Sequence, residues 1–270
     1  PLSLEAQGGP PVGGQNMGGG NCSANPYNCA DAVNPIPSPN TVWLEEMTWM
    51  DVRDAMKAGK TTVIIPTGGI EPNGPWLALG KHNYVLHTNC EAIARKMGNA
   101  LCAPIVKFVP EGGVESLLTD LIVSLKVHGF ENILLIGDSG GNQNGQRSVA
   151  DSLTQIWKGT PIVAHIQEYY DYAKVAAYMK DHGIVDGAAE NMHDDPIISL
   201  NMFIDDPQSI RYDERVKAGK ASINGVSLAD KKKNAALAKQ IVEFRTATTV
   251  EAINNALANK GTLPAPPRRP

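Results

Sequence analysis

The stretch VIIPTGGIEPNGPWLALGKHN, residues 63–83, decides how the rest of the chain is read. It opens as a β-branched apolar run, the pattern of a buried strand, and then breaks into glycines, prolines and isolated polar residues. In an open α/β sheet the loop leaving the carboxyl end of a strand holds ligands. Glu71, Asn73, Trp76 and His82 are therefore the first candidates for a site.

On the amino-terminal side, Thr48 and Asp51 resemble a capping box at the head of WMDVRDAMKAG, and Gly59 ends that helix. On the other side, YVLHTNCEAIARKMG has helical apolar spacing with Gly98 as its cap, and LCAPIVKFV reads as the next strand. ESLLTDLIVSLKVHG, ENILLIG, NGQRSVADSLTQIW and TPIVAHI continue as helix, strand, helix and strand. Such alternation predicts an α/β fold, a parallel, right-handed sheet with helices on both faces. Beyond Glu168 the pattern turns helical: EYYDYAKVAAYMKDHG, then DPIISLNMFI after a loop through HDDP, then two helices between Ser227 and Asn259. Lys231, Lys232 and Lys233 read as a solvated face. Residues 1–40, rich in Gly and Pro, predict an extended arm, residues 41–260 a single domain, and residues 261–270 a surface tail.

A length of 270 residues suffices for one large domain with a well-buried core. The net charge of -4 leaves no basic excess for nucleic acid, and no apolar run approaches the ~20 residues needed to span a bilayer. A small molecule is the expected partner. Cys22 and Cys29 lie where packing cannot protect a thiol and predict a local disulfide, hence an oxidising compartment. Cys90 and Cys102 sit in apolar patterns and read as buried free thiols. Pro1 in place of a start methionine fits a mature periplasmic or secreted form, with a cytoplasmic protein as the alternative.

PTGGIEPNGPWLALGKH, residues 66–82, resembles the signature loop of the creatininase (creatinine amidohydrolase) family, usually close to PTGSIEQHGPHLPLGTD. ENILLIGDSGGN, residues 131–142, resembles the second signature, a strand followed by NGHGGN. The resemblance runs from about Thr41 to Glu251. It implies an α/β sandwich, commonly hexameric, that hydrolyses cyclic or linear amides with two divalent metals; a homo-oligomer of closed symmetry is expected. Residue by residue, it places the family's first ligand glutamate on Glu71, its ligand histidine on Asn73, its bridging aspartate on His82 and its NGHGGN histidine on Ser139. A carboxylate bridges two cations through two oxygens, whereas a neutral imidazole offers one lone pair. The expectation is therefore a mononuclear site, zinc or else manganese, held by Glu71, His82 and one of Asp138, His193 or Asp194, with water as a further ligand.

Other readings compete at the same residues. GDSGG also fits G-x-S-x-G between a strand and a helix, which makes Ser139 a candidate nucleophile with His193, backed by Asp194 or Asp195, as its base. Equally, Ser139, Gly140 and Gly141 shape a turn that caps the helix at Asn142. Glu190 and HDDP bring carboxylates beside an imidazole, or else Asp195 and Pro196 simply start a helix. Trp76 walls a pocket or joins the core, and His128, His165 and His182 read as structural. The expected activity is hydrolysis of an amide or cyclic amide C–N bond by metal-bound water. Glu71, His193, Asp194 and Ser139 are its candidate catalytic residues, and Asn73, Trp76, Asp138, Gly140, Gly141 and Asn142 contact substrate. A metal-free serine hydrolase, a lactone-directed hydrolase and a non-catalytic binding protein are the alternatives.

Overall fold

The structure is a computed structural model that describes residues 21–109 and 113–261. The first half of the expected arm, part of the junction VPEGGV and most of the tail lie outside the described residues. The chain divides into two units. The first comprises the described part of Pro1–Thr41 together with Glu46–Gly59. Within it Cys22 and Cys29 are disulfide-bonded, with Cα atoms 4.7 Å apart. Helix α1 (Trp49–Lys57) starts from the expected capping box: the Thr48 hydroxyl accepts from the Asp51 N–H, and the Asp51 carboxylate accepts from the Thr48 N–H.

The second unit, Val42–Glu45 with Lys60–Pro270, contains the sheet. Strands β1 (Thr62–Thr67), β2 (Ala100–Cys102), β3 (Asn132–Gly137) and β4 (Ile162–His165) lie in the order β2-β1-β3-β4, all parallel. The strand expected over LCAPIVKFV is only three residues long, because Pro104 has no N–H to give a ladder; pairing resumes as a bridge between Val106 and Thr67. Connecting and flanking these strands are helices α2 (Lys81–Met97), α3 (Glu115–Val127), α4 (Gly140–Trp157), α5 (Tyr172–Asp181), α6 (Pro196–Asp205) and α7 (Tyr212–Lys217). A small hairpin of β5 (Ser222–Ile223) and β6 (Val226–Ser227) precedes α8 (Lys231–Ala258). Two helices were expected where α8 runs unbroken, since no Gly or Pro interrupts it after the Asp230 cap. Conversely, the helix expected from Glu168 is split: a 3-10 turn over Gln167–Tyr170 ends at Asp171, whose side chain caps α5.

Alternate residues of a strand face opposite sides, and β1 is buried on both. Ile64, Leu134, Ile136 and Ala164 pack with Leu86, Cys90 and Ile93 of α2 and with Ala252, Ile253 and Ala256 of α8. On the other face α4 covers β3 and β4, and α3 packs on α4. A second core of helical residues joins α2 through Val85, α5 through Val175 and Met179, α6 through Leu200 and Phe203, and α8 through Leu237 and Ile241. Contrary to the expectation of free thiols, Cys90 on α2 and Cys102 on β2 form a disulfide, with Cα atoms 6.4 Å apart. The helix lies directly on the strand pair, so one inward-facing position from each meets in the core.

From β1 the chain passes to β2 on one side and then to β3 on the other, so the strand order reverses between β1 and β3. Their carboxyl ends, where Thr67 lies opposite Gly137, open into the crevice in which such sheets bind ligands. Denatured without reductant, the chain should show no reactive thiol; two per chain in a thiol titration would show Cys90 and Cys102 to be unpaired. Replacing both by alanine should cost about 3 kcal/mol in a denaturation curve, the loop-closure worth of a short cross-link.

Candidate functional site

The loop leaving β1 is closed on itself before it reaches α2. The Glu71 N–H donates to Leu79 O at 3.1 Å, and the Asn73 side-chain amide donates to Glu71 O and Ala78 O at 3.1 and 3.0 Å. Asn73 therefore acts as a staple of the loop. This closure aims the Glu71 side chain, 27% exposed, back at the first turn of α2. Glu71 Oε1 lies 2.7 Å from Lys81 Nζ, 3.2 Å from His82 Nε2 and 3.6 Å from His193 Nδ1. The His82 contact is an ion pair without a well-aimed hydrogen bond, since the buried Nε2 has no hydrogen-bond partner.

Behind His82 stands Asp138, the residue after β3, with none of its surface exposed. Its Oδ2 lies 2.9 Å from His82 Nδ1, and its Oδ1 accepts from Tyr172 at 2.7 Å and from Arg245 Nη2 at 2.9 Å. Arg245 Nη2 also donates to Tyr169 O at 3.1 Å. The result is a continuous line of charge from α8 through β3 and α2 to the loop: Arg245, Asp138, His82, Glu71, Lys81.

Contact with His82 foremost, aided by Lys81 and opposed by burial, holds the Glu71 carboxyl down at about 2. Burial works against charge on His82, but Asp138 and Glu71 overcome it and push the imidazole up to about 9. Burial would likewise raise Asp138, and the Arg245 guanidinium together with His82 leaves it lowered. At neutral pH the line therefore alternates in sign.

The loop before α6 completes the cluster. His193 adopts a left-handed backbone (φ 59°), and its Nδ1 donates to Pro72 O at 2.8 Å. Because a carbonyl only accepts, Nδ1 carries the proton, and in the neutral ring Nε2 keeps the lone pair. Asp194, expected beside it as an acid or ligand, is instead a clamp: its carboxylate accepts from the Gly74 N–H at 3.1 Å and from the Asn191 side chain at 3.0 Å. A Cβ on Gly74 would sit 2.5 Å from Asp194 Oδ2, so only glycine allows this approach. Asp195 caps α6 by accepting from the Ile198 N–H, with Pro196 in the first turn.

The second motif is placed differently from its catalytic reading. Ser139 is the N-cap of α4 in ordinary extended backbone (φ -106°, ψ 142°), without the strain of a nucleophile elbow. Among the described residues no hydrogen bond joins its hydroxyl to an imidazole; His193 Nδ1 is on Pro72 and His82 Nδ1 on Asp138. Asn142 is buried and donates to Thr67 O and Gly68 O, tying α4 to the exit of β1. Gly140 and Gly141 are exposed at the head of α4, where a Cβ on Gly140 would meet the Tyr170 hydroxyl at 3.0 Å. Trp76 is half-buried beneath the Arg215 guanidinium, 5.9 Å from the ring centre. His165 is buried against Gln143 and held down to about 4 by burial first and then by Arg147, as a structural histidine should be. A cavity of about 520 Å³ lined by Asp151, Thr154, Lys158 and Lys260 opens elsewhere, beside the start of β4, and contains no member of the cluster.

Lys81, Tyr172 and Arg245 were missed in the sequence. Arg245 left a trace: it stands in the Ile241, Arg245, Thr249, Ile253 stripe of α8, a cation on an otherwise inward face. Lys81 lay inside the quoted loop but carries no ligand chemistry.

The family model described as Creatininase, creatinine amidohydrolase, matches residues 45–253. Among solved structures, a creatinine amidohydrolase matches with a TM-score of 0.54 at 15% identity, over 84% of this chain and 100% of its own. One described as "Creatininase Mn" matches at 0.53 and 16%, and a mutant creatininase complexed with creatine at 0.52 and 16%, each over 83% of this chain and 100% of its own. No curated protein matches.

Manganese in one of these relatives raises the question whether the present side chains suit a divalent ion. They do not as placed. Among the described residues no group of three or more His, Cys, Asp or Glu side chains converges as a cage. Of the four expected ligands, Asp138 is spent on Arg245, Tyr172 and His82, and Lys81 sits on Glu71 Oε1, which leaves His82 Nε2 and His193 Nε2 as open nitrogens that share only a carboxylate oxygen already holding an ammonium.

Two consequences are measurable. Arg245→Met would leave Asp138 buried and short of its main cation, and should cost about 3 to 5 kcal/mol in chemical denaturation. The second concerns pH. Glu71, at about 2 against an ordinary 4.5, contributes fully above 4.5 and loses its contribution as pH falls towards 2. His82, at about 9 against 6.5, contributes fully below 6.5 and loses its contribution as pH rises through 9. Stability should therefore decline on both sides of the window from 4.5 to 6.5, and His82→Gln should flatten the alkaline limb and, because His82 is the first cause of the Glu71 shift, weaken the acid limb as well.

Proposed function

The chain belongs to the creatininase family, and from that premise we propose that it hydrolyses the C–N bond of a small amide or cyclic amide in the crevice at Glu71. The observation that carries the reading is the gathering of Lys81, His82 and His193 within 3.6 Å of one carboxylate oxygen at the strand-order reversal.

Each group has a task that suits its state. Glu71, held near 2, is too weak a base to take a proton at neutral pH and serves to hold the two imidazoles and the ammonium in place. His193 Nε2 accepts a proton from the attacking water, whose oxygen bonds to the carbonyl carbon. The Lys81 ammonium stabilises the oxyanion as the carbonyl electrons move onto oxygen. As the carbonyl re-forms, the C–N bond breaks, and the departing nitrogen takes the proton that His193 Nε2, on the exposed imidazole, received from the water. Asp138 and Arg245 keep the His82 ring oriented throughout. Metal-bound water is set aside because Lys81 sits on the Glu71 oxygen that faces both imidazoles and Asp138 is spent on Arg245, Tyr172 and His82, and Ser139 because no base reaches it.

Two further expectations belong to the same reading. The disulfides Cys22–Cys29 and Cys90–Cys102 support an oxidising compartment, the periplasm or the exterior. A closed homo-oligomer remains the expected assembly, and sedimentation as a monomer at all concentrations would refute it.

The test is turnover of a panel of cyclic and linear amides, with lactones in parallel. His193→Ala should lower kcat by about 10²- to 10⁴-fold, the usual worth of a general base. Ser139→Ala should lower it about tenfold at most, the worth of one hydrogen bond. Stoichiometric labelling of Ser139 by a fluorophosphonate would replace this mechanism with a covalent one. Binding of panel amides without any turnover would leave a binding protein.

A further inference from the structure

We infer that Lys81 is the built-in cation of this site: its ammonium occupies the Glu71 coordination position that a divalent metal would need, so the chain holds no catalytic metal there. The inference rests on the proposed reading of the crevice as the reacting centre, and it turns on where Lys81 stands. Lysine at the first position of a helix is electrostatically misplaced, because the amino end of α2 is already positive. Its side chain is moreover only 4% exposed, a state that charged groups reach only when paired. Both costs are offset by a single contact, Nζ to Glu71 Oε1 at 2.7 Å, with His193 O as a weaker acceptor at 3.5 Å.

A zinc or manganese ion would bind a carboxylate oxygen at roughly 2.0 to 2.2 Å. With an ammonium already on Oε1, an entering dication meets a fixed like charge at the Glu71 oxygen that lies nearest both imidazoles. The lysine cannot swing away cheaply, since its stem is enclosed. An ammonium offers a developing oxyanion a positive charge, as a metal does, yet it does not acidify a bound water as zinc does. A site built on Lys81 therefore needs a separate proton acceptor, and His193 stands beside it.

The experiment is a calorimetric titration of Zn²⁺ and of Mn²⁺ into chelator-treated, dialysed protein, with elemental analysis of the recovered samples. Wild type should take up no stoichiometric ion. Lys81→Ala frees Glu71 Oε1 in front of His82 Nε2, and its affinity for either ion should exceed that of wild type by at least about tenfold, the scale on which a metal site responds to its surroundings. Lys81→Arg keeps a cation there and should bind no better than wild type. One ion per chain in wild type overturns the inference. So does Lys81→Ala, folded by near-ultraviolet circular dichroism, that binds no more tightly than wild type. Should Lys81→Ala fail to fold, Lys81→Met replaces it and is read against the same outcomes, while one ion per chain in wild type overturns the inference whatever the variants do. Metal uptake is read without substrate, so a failed amide assay bears on the proposed reaction and leaves this result standing.

Discussion

A carboxylate with no exposed surface dictates most of what surrounds it. Asp138 cannot be solvated, so folding supplies a guanidinium, a phenol and an imidazole, each from a different helix. Arg245 comes from α8, Tyr172 from α5 and His82 from α2, and all three converge on the end of β3. One buried charge thereby fixes how three helices sit on the sheet. It also fixes the rotation of the His82 ring, and with it the part of Glu71 that faces the crevice.

Seen from the crevice, the chain has assembled its positive charge from its own side chains. Such cations cannot be stripped or exchanged, and the geometry they impose is set when the chain folds. Rigidity is the accompanying cost. Asp194 clasps Gly74 and His193 Nδ1 donates to Pro72 O, so the loop after β1 and the loop before α6 are joined twice, and the Asn224 side chain, donating to Asp194 O at 3.0 Å, ties the second loop to the small hairpin. These loops carry Glu71 and His193, and the clasp sets the distance between them.

The strands were legible because a parallel sheet buried on both faces leaves continuous β-branched runs, and β1 and β3 are such runs. Glu71 and His82 were legible from the loop, and His193 from its acidic neighbours. Asp138 was read as a ligand because sequence shows its charge but not its burial. Asp194 was read as chemistry for the same reason, although its partners are a backbone N–H and an amide. The Cys90–Cys102 pair was lost because pairing depends on the register of α2 over β2, which local pattern does not carry. Arg245 was hardest to see, because its partner Asp138 lies 107 residues earlier and only the finished fold brings the two together.

That long reach has a consequence for biogenesis. A chain emerging from the ribosome presents the strands and α2 well before α8, which is the last helix among the described residues. Until α8 docks, Ile64, Leu134 and Ile136 lack part of their cover, and Asp138 must stay hydrated or protonated at the edge of an unfinished core. The crevice end of the sheet is thus the last region to close, and the same event seals the apolar face and switches on the charge line. A nascent intermediate would be sticky and inert together, becoming soluble and competent in one step when the final helix arrives.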